Sequence, residues 1–164
     1  MTKTSPRSGY TNSQIILHWL IAALVLFNYI VSDGMGSALR RHLNGEAQAD
    51  IWPAIHVYVG IAVLVLVLIR LLLRRRVGVP ATAEATPGWM SRLGKIGHWL
   101  IYALLLVGPA LGVATWYLRL GSAGDLHAIA MNALMILAGL HAAAGIYHHY
   151  VVRDGLLRRM GLPL

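Results

Sequence analysis

Four long apolar stretches decide what this 164-residue chain can fold into. They are Ile15–Val31, Ile51–Leu73, Ile96–Leu118 and Leu126–Val152. A helix needs about 20 residues to cross the roughly 30 Å of hydrocarbon in a bilayer. Only 12% of the residues are charged, whereas a soluble domain carries about 25%. The sequence therefore predicts an all-α membrane protein, a four-transmembrane-helix bundle with helices over roughly 14–33, 51–74, 94–118 and 125–152.

The four helices take up nearly the whole sequence, so we predict a single integral membrane domain over residues 1–164. The first apolar stretch follows Lys3 and Arg7, and it has an alternative interpretation as a cleaved signal peptide. His18 and Trp19 are unusual in a disposable segment, and they favour a permanent helix.

The basic residues are distributed unequally between the two sides of this bundle. Of the 14 lysines and arginines, only Arg40, Arg41 and Arg119 lie in the first and third connections. The positive-inside rule then places both termini and the second connection in the cytoplasm of a bacterial inner membrane. The formal net charge of +8 mainly reflects this topology. It predicts contact with anionic membrane lipid rather than with nucleic acid.

Histidines are the anomaly in so apolar a sequence. All but His42 of the eight histidines lie in or at the ends of the apolar stretches. Ionisable side chains inside a bilayer are costly and usually functional, although each can also be a residue bonded to a neighbouring helix. The absence of cysteine excludes disulfides, iron–sulfur clusters, thiolate zinc sites and thioether-linked c-type haem.

The histidine spacings fit two haems stacked across the membrane. His127 and His141 are 14 residues apart on one predicted helix, so they face nearly the same way and lie about 21 Å apart along its axis. His18 lies as deep as His141 from the cytoplasmic side, and His56 starts its helix from the outside. We therefore predict two b-type haems. The inner iron is bound by His18 and His141, and the outer iron is bound by His56 and His127. Two imidazole ligands leave no open position on the iron, which suits electron transfer.

Small residues and a cation accompany these histidines. Gly139 precedes His141 and residues 142–145 follow it as Ala-Ala-Ala-Gly, which admits either a flat porphyrin or a closely packed helix. Arg70 lies 14 residues after His56, which places it about 21 Å deeper, level with the propionates of the inner haem. An arginine that extends to the membrane surface is the alternative interpretation.

Three segments of the sequence resemble a known family. They are Gln14–Trp19 (Gln-Ile-Ile-Leu-His-Trp), Ile55–Val57 (Ile-His-Val) and Gly139–Ala144 (Gly-Leu-His-Ala-Ala-Ala), the last followed by His148-His149-Tyr150. Over nearly its whole length the chain resembles the bacterial cytochrome b561 family. It is most similar to small four-helix members with two haems, which take electrons from superoxide on the periplasmic side and pass them to ubiquinone near the cytoplasm.

The resemblance implies a superoxide:quinone oxidoreductase in which the four proposed ligands match the axial histidines of the family. It also implies that His148 is a histidine of the quinone site. The lysine that contacts the quinone in the family has no clear match in Ala81–Pro87. Lys95 and His98 are therefore further candidates for the quinone site, and a haem neighbour or a residue at the membrane interface are the alternative interpretations of His98.

The donor side leaves more than one function open. Four basic side chains near the predicted outer haem would attract an anionic donor such as superoxide; they are Arg40, Arg41, His42 and Arg119. The third connection is shorter than in superoxide-oxidising members. Short outer connections leave a flat outer face. Such a face also suits an electron-transfer subunit that serves a docked dehydrogenase, hydrogenase or c-type cytochrome. A histidine-lined metal transporter would need carboxylates in the spans, and the four apolar stretches contain none.

The charge distribution predicts where the carboxyl terminus lies. Alkaline phosphatase is active only in the periplasm, so its fusion after Leu164 should be inactive and its fusion after Asn44, in the first connection, should be active. Phosphatase activity of the two fusions in intact cells measures the orientation. Strong activity of the Leu164 fusion would invert the bundle and exchange the inner and outer labels.

Overall fold

The computed structural model describes residues 9–80 and 86–161, and within these ranges the regular structure is helical. In chain order the elements are α1 (Asn12–Ile30), α2 (Met35–Asn44), α3 (Trp52–Val77), α4 (Gly88–Tyr117), α5 (Gly121–Tyr147), a π-helix (His148–Val152) and α6 (Leu156–Arg159). The π-helix continues α5 without a break. Lys3, Arg7 and residues 81–85 of the second connection lie outside the described ranges.

Four helices are long and apolar enough to cross a membrane: α1, α3, α4, and α5 together with its π-helical continuation. The predicted all-helical fold with four spans is therefore confirmed. The first connection also contains α2, which the apolar pattern alone does not predict. The connection between α4 and α5 is limited to residues 118–120, so these two helices form a tight antiparallel pair.

The ends of two helices have local causes in the sequence. α1 begins at Asn12 because Thr11 and Gln14 form a capping box, in which each side chain accepts a hydrogen bond from the backbone N–H of the other residue. α4 begins at Gly88, earlier than the predicted 94, directly after Pro87. Proline suits a helix start because its φ is fixed near the helical value and its missing N–H has no helical partner there.

The core of the bundle lies midway along the long helices. α3 packs against both α1 and α4, and α4 packs against α5. Val63 and Val67 of α3 meet Tyr102 and Leu105 of α4 and Leu134 of α5 in one buried cluster. Many other large apolar side chains are exposed on the outer faces of the helices, as expected where lipid rather than water surrounds the protein.

Glycines allow α4 and α5 to approach closely on either side of Pro109. A Cβ atom added at Gly108 would lie 2.6 Å from the sulfur of Met131, and one at Gly112 would lie 3.1 Å from the ring of His127. Glycine at these positions therefore lets α5 bring His127 directly against α4, as small residues do at helix contacts in membranes.

Candidate functional site

The outer histidines face each other between α3 and α5. The ring centres of His56 and His127 are 6.1 Å apart, and the ring planes are inclined by 86°. His56 Nδ1 donates to the backbone carbonyl of Asn28, at 3.2 Å, and His127 Nδ1 donates to that of Gly108, at 2.8 Å. Because a carbonyl can only accept, both rings carry their hydrogen on Nδ1 and leave Nε2 free to bind a metal.

The inner histidines form a second pair between α1 and α5. The ring centres of His18 and His141 are 6.3 Å apart, with planes inclined by 73°. A metal–imidazole bond is about 2 Å long, so two rings on opposite sides of one ion have centres roughly 6 Å apart once the nitrogen-to-centre distances are added. Both predicted pairs are thus brought together at a separation that suits two axial ligands.

The outer pair lines a cavity of about 410 Å³ whose walls are mostly apolar. Gly60 and Gly112 also line this cavity. The side-chain oxygen of Asn28 is buried in the wall and has no hydrogen-bond partner among the described residues. Two opposed imidazoles in an apolar cavity fit a haem with histidine ligands on both faces.

A third histidine adjoins the inner pair. The ring centre of His98, on α4, lies 4.9 Å from that of His141, closer than His18 does. His98 Nδ1 donates to the Gly94 carbonyl one turn earlier on the same helix, at 2.6 Å. The sequence predicts His98 as a quinone-site candidate, and the structure places it against a proposed haem ligand. Lys95, the other candidate on α4, is exposed.

Arg70 is held beside the inner pair by both neighbouring helices. Its Nη1 donates to the backbone carbonyl of Gln14 on α1, at 2.7 Å, and its Nε donates to the Tyr102 hydroxyl on α4, at 3.1 Å. Gln14 lies one helical turn before His18 on α1, so the bond to its carbonyl brings the guanidinium near the inner pair. The predicted depth of Arg70 and its contact with a haem propionate stay predictions.

His148 lies at the start of the π-helix and is paired with a carboxylate. Its Nδ1 donates to Asp154 Oδ2 at 2.6 Å, and the Thr86 hydroxyl donates to the same oxygen at 3.0 Å. The N–H of Leu156 donates to Asp154 Oδ1 at 3.1 Å. Burial acts to raise the pKa of Asp154, but the hydrogen bonds from His148, Thr86 and Leu156 outweigh it and lower that pKa below its usual value.

Asp154 is the functional candidate that sequence reasoning missed. Its local signal, an aspartate before Gly155 in a basic tail, indicates a turn. The partnership with His148 arises only after the chain reverses, and no short sequence pattern encodes it.

The short helix α2 lies against the outer end of the bundle. The His42 ring stacks on Trp116, with centres 4.1 Å apart, and His42 Nε2 donates to the Trp116 carbonyl at 2.8 Å. Arg119 donates to the carbonyls of His42 and Leu43 at the end of α2, at 2.6 and 3.3 Å. His42 and Arg119 therefore fix α2 to the outer end of α4. Arg41 lines a small outer pocket together with Asp33 and Asp50.

The chain is similar over nearly its whole length to three bacterial proteins, two of which are named as cytochromes. The sequence model of the family described as prokaryotic cytochrome b561 matches residues 9–162. Cytochrome b562 of Cereibacter sphaeroides is 44% identical over 155 residues, which cover 94% of this chain and 96% of that protein. The Yersinia pestis protein named probable superoxide oxidase CybB is 31% identical over 174 residues, covering 92% and 94%. Cytochrome b561 homolog 1 of Escherichia coli is 25% identical over 172 residues, covering 92% and 96%.

The contact of Gly112 with His127 predicts a selective effect on the outer pair. In Gly112→Ala the new methyl group should displace the His127 ring and weaken haem binding at that pair by roughly 10- to 100-fold. Gly97→Ala, also on α4, is the matched control because a Cβ there would meet nothing within 4 Å. Pyridine haemochrome analysis of both purified variants gives the haem-to-protein ratio. Equal ratios would contradict the assignment of His127 as a ligand.

Proposed function

Because this chain belongs to the prokaryotic cytochrome b561 family, whose members bind haem b, we propose that it is a di-haem cytochrome that transfers electrons across the inner membrane from a periplasmic donor to ubiquinone. The observation that supports this most directly is the pair of facing imidazoles near each end of α5, with ring centres 6.1 and 6.3 Å apart. Haem b bound at each pair supplies reversible one-electron chemistry.

The residues around each pair position its histidines to bind haem. His56 and His127 hold the outer group, and the carbonyls that accept from their Nδ1 atoms fix the ring orientation and make Nε2 a stronger ligand. His18 and His141 hold the inner group. Arg70 provides a fixed positive charge at the inner level, where it would offset the propionates and favour the reduced state.

Superoxide is the proposed donor. A relative that is 31% identical carries the name probable superoxide oxidase, and Arg40 and Arg41 lie on the outer side, where they would attract an anion. Two superoxide anions each lose one electron to become oxygen. One ubiquinone takes up those two electrons together with two protons from the cytoplasm to give ubiquinol.

The quinone site is proposed at the inner end of α5. The His148 side chain is 16% exposed, and the neighbouring Tyr147, Tyr150 and Val151 expose apolar surface. Such a surface suits a quinone that arrives through the lipid, and an imidazole can bond a quinone carbonyl and exchange a proton near neutral pH. Lys95 and His98 are the other candidates on this side.

An electron-transfer subunit without a small-molecule donor of its own is the second candidate. The connection over residues 118–120 is short, and α2 lies beside it, so together they form the outer surface on which a dehydrogenase, a hydrogenase or a c-type cytochrome would dock. The relative that is 44% identical is named only cytochrome b562. In this case the outer pair would accept electrons from the docked protein rather than from superoxide.

A direct reduction experiment separates the two functions. Superoxide added to the purified, oxidised protein alone should rapidly change the haem absorption spectrum. The double variant Arg40→Gln, Arg41→Gln should react several-fold more slowly at low ionic strength. Arg92→Gln, which removes an exposed cation near the inner end of α4, is the matched control. Reduction that occurs only with an added partner protein would favour the subunit function.

Replacement of inner histidines separates ligands from the quinone site. The wild type should contain close to two haems per chain, and His141→Ala close to one, because an axial bond is lost. His148→Ala should keep both haems and its reduction by an external donor, yet reduce ubiquinone poorly. Haem content and quinol formation are the measurements. Loss of a haem in His148→Ala would overturn the ligand assignment, and normal quinol formation would move the quinone site elsewhere.

A further inference from the structure

The carboxylate of Asp154 is built into the inner end of the bundle as a partner for His148. Its side chain is only 3% exposed and accepts three hydrogen bonds, from His148, from Thr86 and from the N–H of Leu156. We propose that Asp154 is a positioning residue that holds His148 in the tautomer and orientation needed to protonate a bound quinone. This inference rests on the proposed function, since it assumes that quinone is reduced at His148.

The hydrogen bond decides which nitrogen of His148 is available. The carboxylate accepts from Nδ1, so Nε2 is the nitrogen left to face a quinone oxygen, and Nε2 can donate to that oxygen when the ring carries a hydrogen on both nitrogens. The lowered pKa of Asp154 keeps the carboxylate ionised at neutral pH, so the carboxylate continues to accept the Nδ1 hydrogen of His148. A buried, ionised and fully bonded partner is the arrangement that orients a general acid.

The backbone reverses direction at the point where Asp154 meets His148. The chain leaves the π-helix and reverses at Arg153 and Gly155, with φ of 57° and 70°. Arg153 has a positive φ although it is not glycine, which is an unfavourable conformation that persists only where surrounding contacts impose it. The reversal brings the Asp154 carboxylate within hydrogen-bond distance of His148 Nδ1. A π-helix within a longer helix is itself frequent at functional sites.

Contacts with three other parts of the chain restrain the tail that carries Asp154. Thr86 ties Asp154 to the segment that precedes α4. Further along the tail, the Trp19 indole N–H on α1 donates to the Met160 carbonyl at 3.0 Å. Leu157 packs within 3.5 Å of the position that a Cβ at Gly145 would take. The tail is therefore held to α1, to α5 and to the second connection, and His148 is oriented by a fixed group.

Other ionisable side chains lie near Asp154 and His148. The Tyr147 ring lies 6.5 Å from that of His148, edge to face, and the neighbouring His149 packs against Tyr150 instead. The tail contributes the cations Arg153, Arg158 and Arg159. Within the described part of the chain, the hydrogen bond and charge of His148 lower the pKa of Asp154.

The proposed proton step balances. Protonated His148 gives its Nε2 hydrogen to a quinone oxygen, so that an N–H bond breaks and an O–H bond forms while the electrons arrive from the donor through the cytochrome. Asp154 keeps its charge and its bond to Nδ1 throughout. Cytoplasmic water then returns a proton to Nε2, and a second cycle completes the quinol.

Asp154→Asn tests the inference because it keeps the shape of the side chain and removes its charge. Full-length, haem-loaded protein is reduced stoichiometrically and mixed with decylubiquinone, and haem reoxidation is followed by stopped-flow absorption. We expect the maximal rate to fall about tenfold or more, with an unchanged half-saturating quinone concentration and unchanged haem content. Asp154→Glu should recover part of the rate. Asp33→Asn, the same chemical change at an exposed outer position, should behave as the wild type.

Two further measurements exclude a merely structural role. Thr86→Val removes one of the three hydrogen bonds to Asp154 but leaves the charge of Asp154 and its bond to His148, so its rate should fall less than that of Asp154→Asn. In protein labelled with ¹⁵N-histidine, the His148 resonances, assigned by their loss in His148→Gln, should report a hydrogen on Nδ1 in the wild type. Asp154→Asn should shift them towards a mixture of tautomers.

The outcomes distinguish this inference from the function on which it rests. A wild-type protein that decylubiquinone does not oxidise would overturn both. Slow oxidation of His148→Ala with fast oxidation of Asp154→Asn would overturn only the positioning role. A rate that falls in Asp154→Asn only in proportion to lost haem, or equally in Thr86→Val, would also overturn it.

Discussion

An imidazole inside a lipid bilayer must find partners within the protein, because no water is present to bond its nitrogens. In the outer pair, the Nδ1 atoms of His56 and His127 meet this need by donating to carbonyls on α1 and α4. These bonds tie each histidine to a helix other than its own. They also leave both Nε2 atoms directed at a shared space between the helices. The same requirement that stabilises the bundle thus prepares it to hold a metal-containing group.

The two ends of the bundle meet this requirement differently. At the outer end only backbone carbonyls fix the rings, and the cavity beside them is mostly apolar. At the inner end a third imidazole, His98, adjoins His141, and the Arg70 guanidinium bridges α1 and α4. The inner site is therefore the more polar and the more positively charged. In the proposed function this difference favours electron flow inward, because a positive environment stabilises the reduced form of the group it surrounds.

Periodicity determines how much of this arrangement the sequence can predict. The four spans follow from length and hydropathy, and the facing pairs follow from the 14-residue interval on α5 together with depth from the membrane surface. The start of α4 at Gly88 and the helix α2 depend on local turn chemistry rather than on apolar length. The contact of His98 with His141, and that of Asp154 with His148, depend on how helices rotate against each other and on where the tail reverses. Nothing in a linear pattern specifies such rotations.

Both proposed pairs take one histidine from α5, so the geometry of this one helix sets the distance between the two proposed haem sites. Their vertical separation is set by helical rise alone, about 21 Å along the axis, and does not depend on the lengths of the connections. One residue inserted between His127 and His141 would turn one ring by about 100° relative to the other. The interval is thus intolerant of insertions and deletions, whereas the connections that join the helices can change in length without altering the electron path.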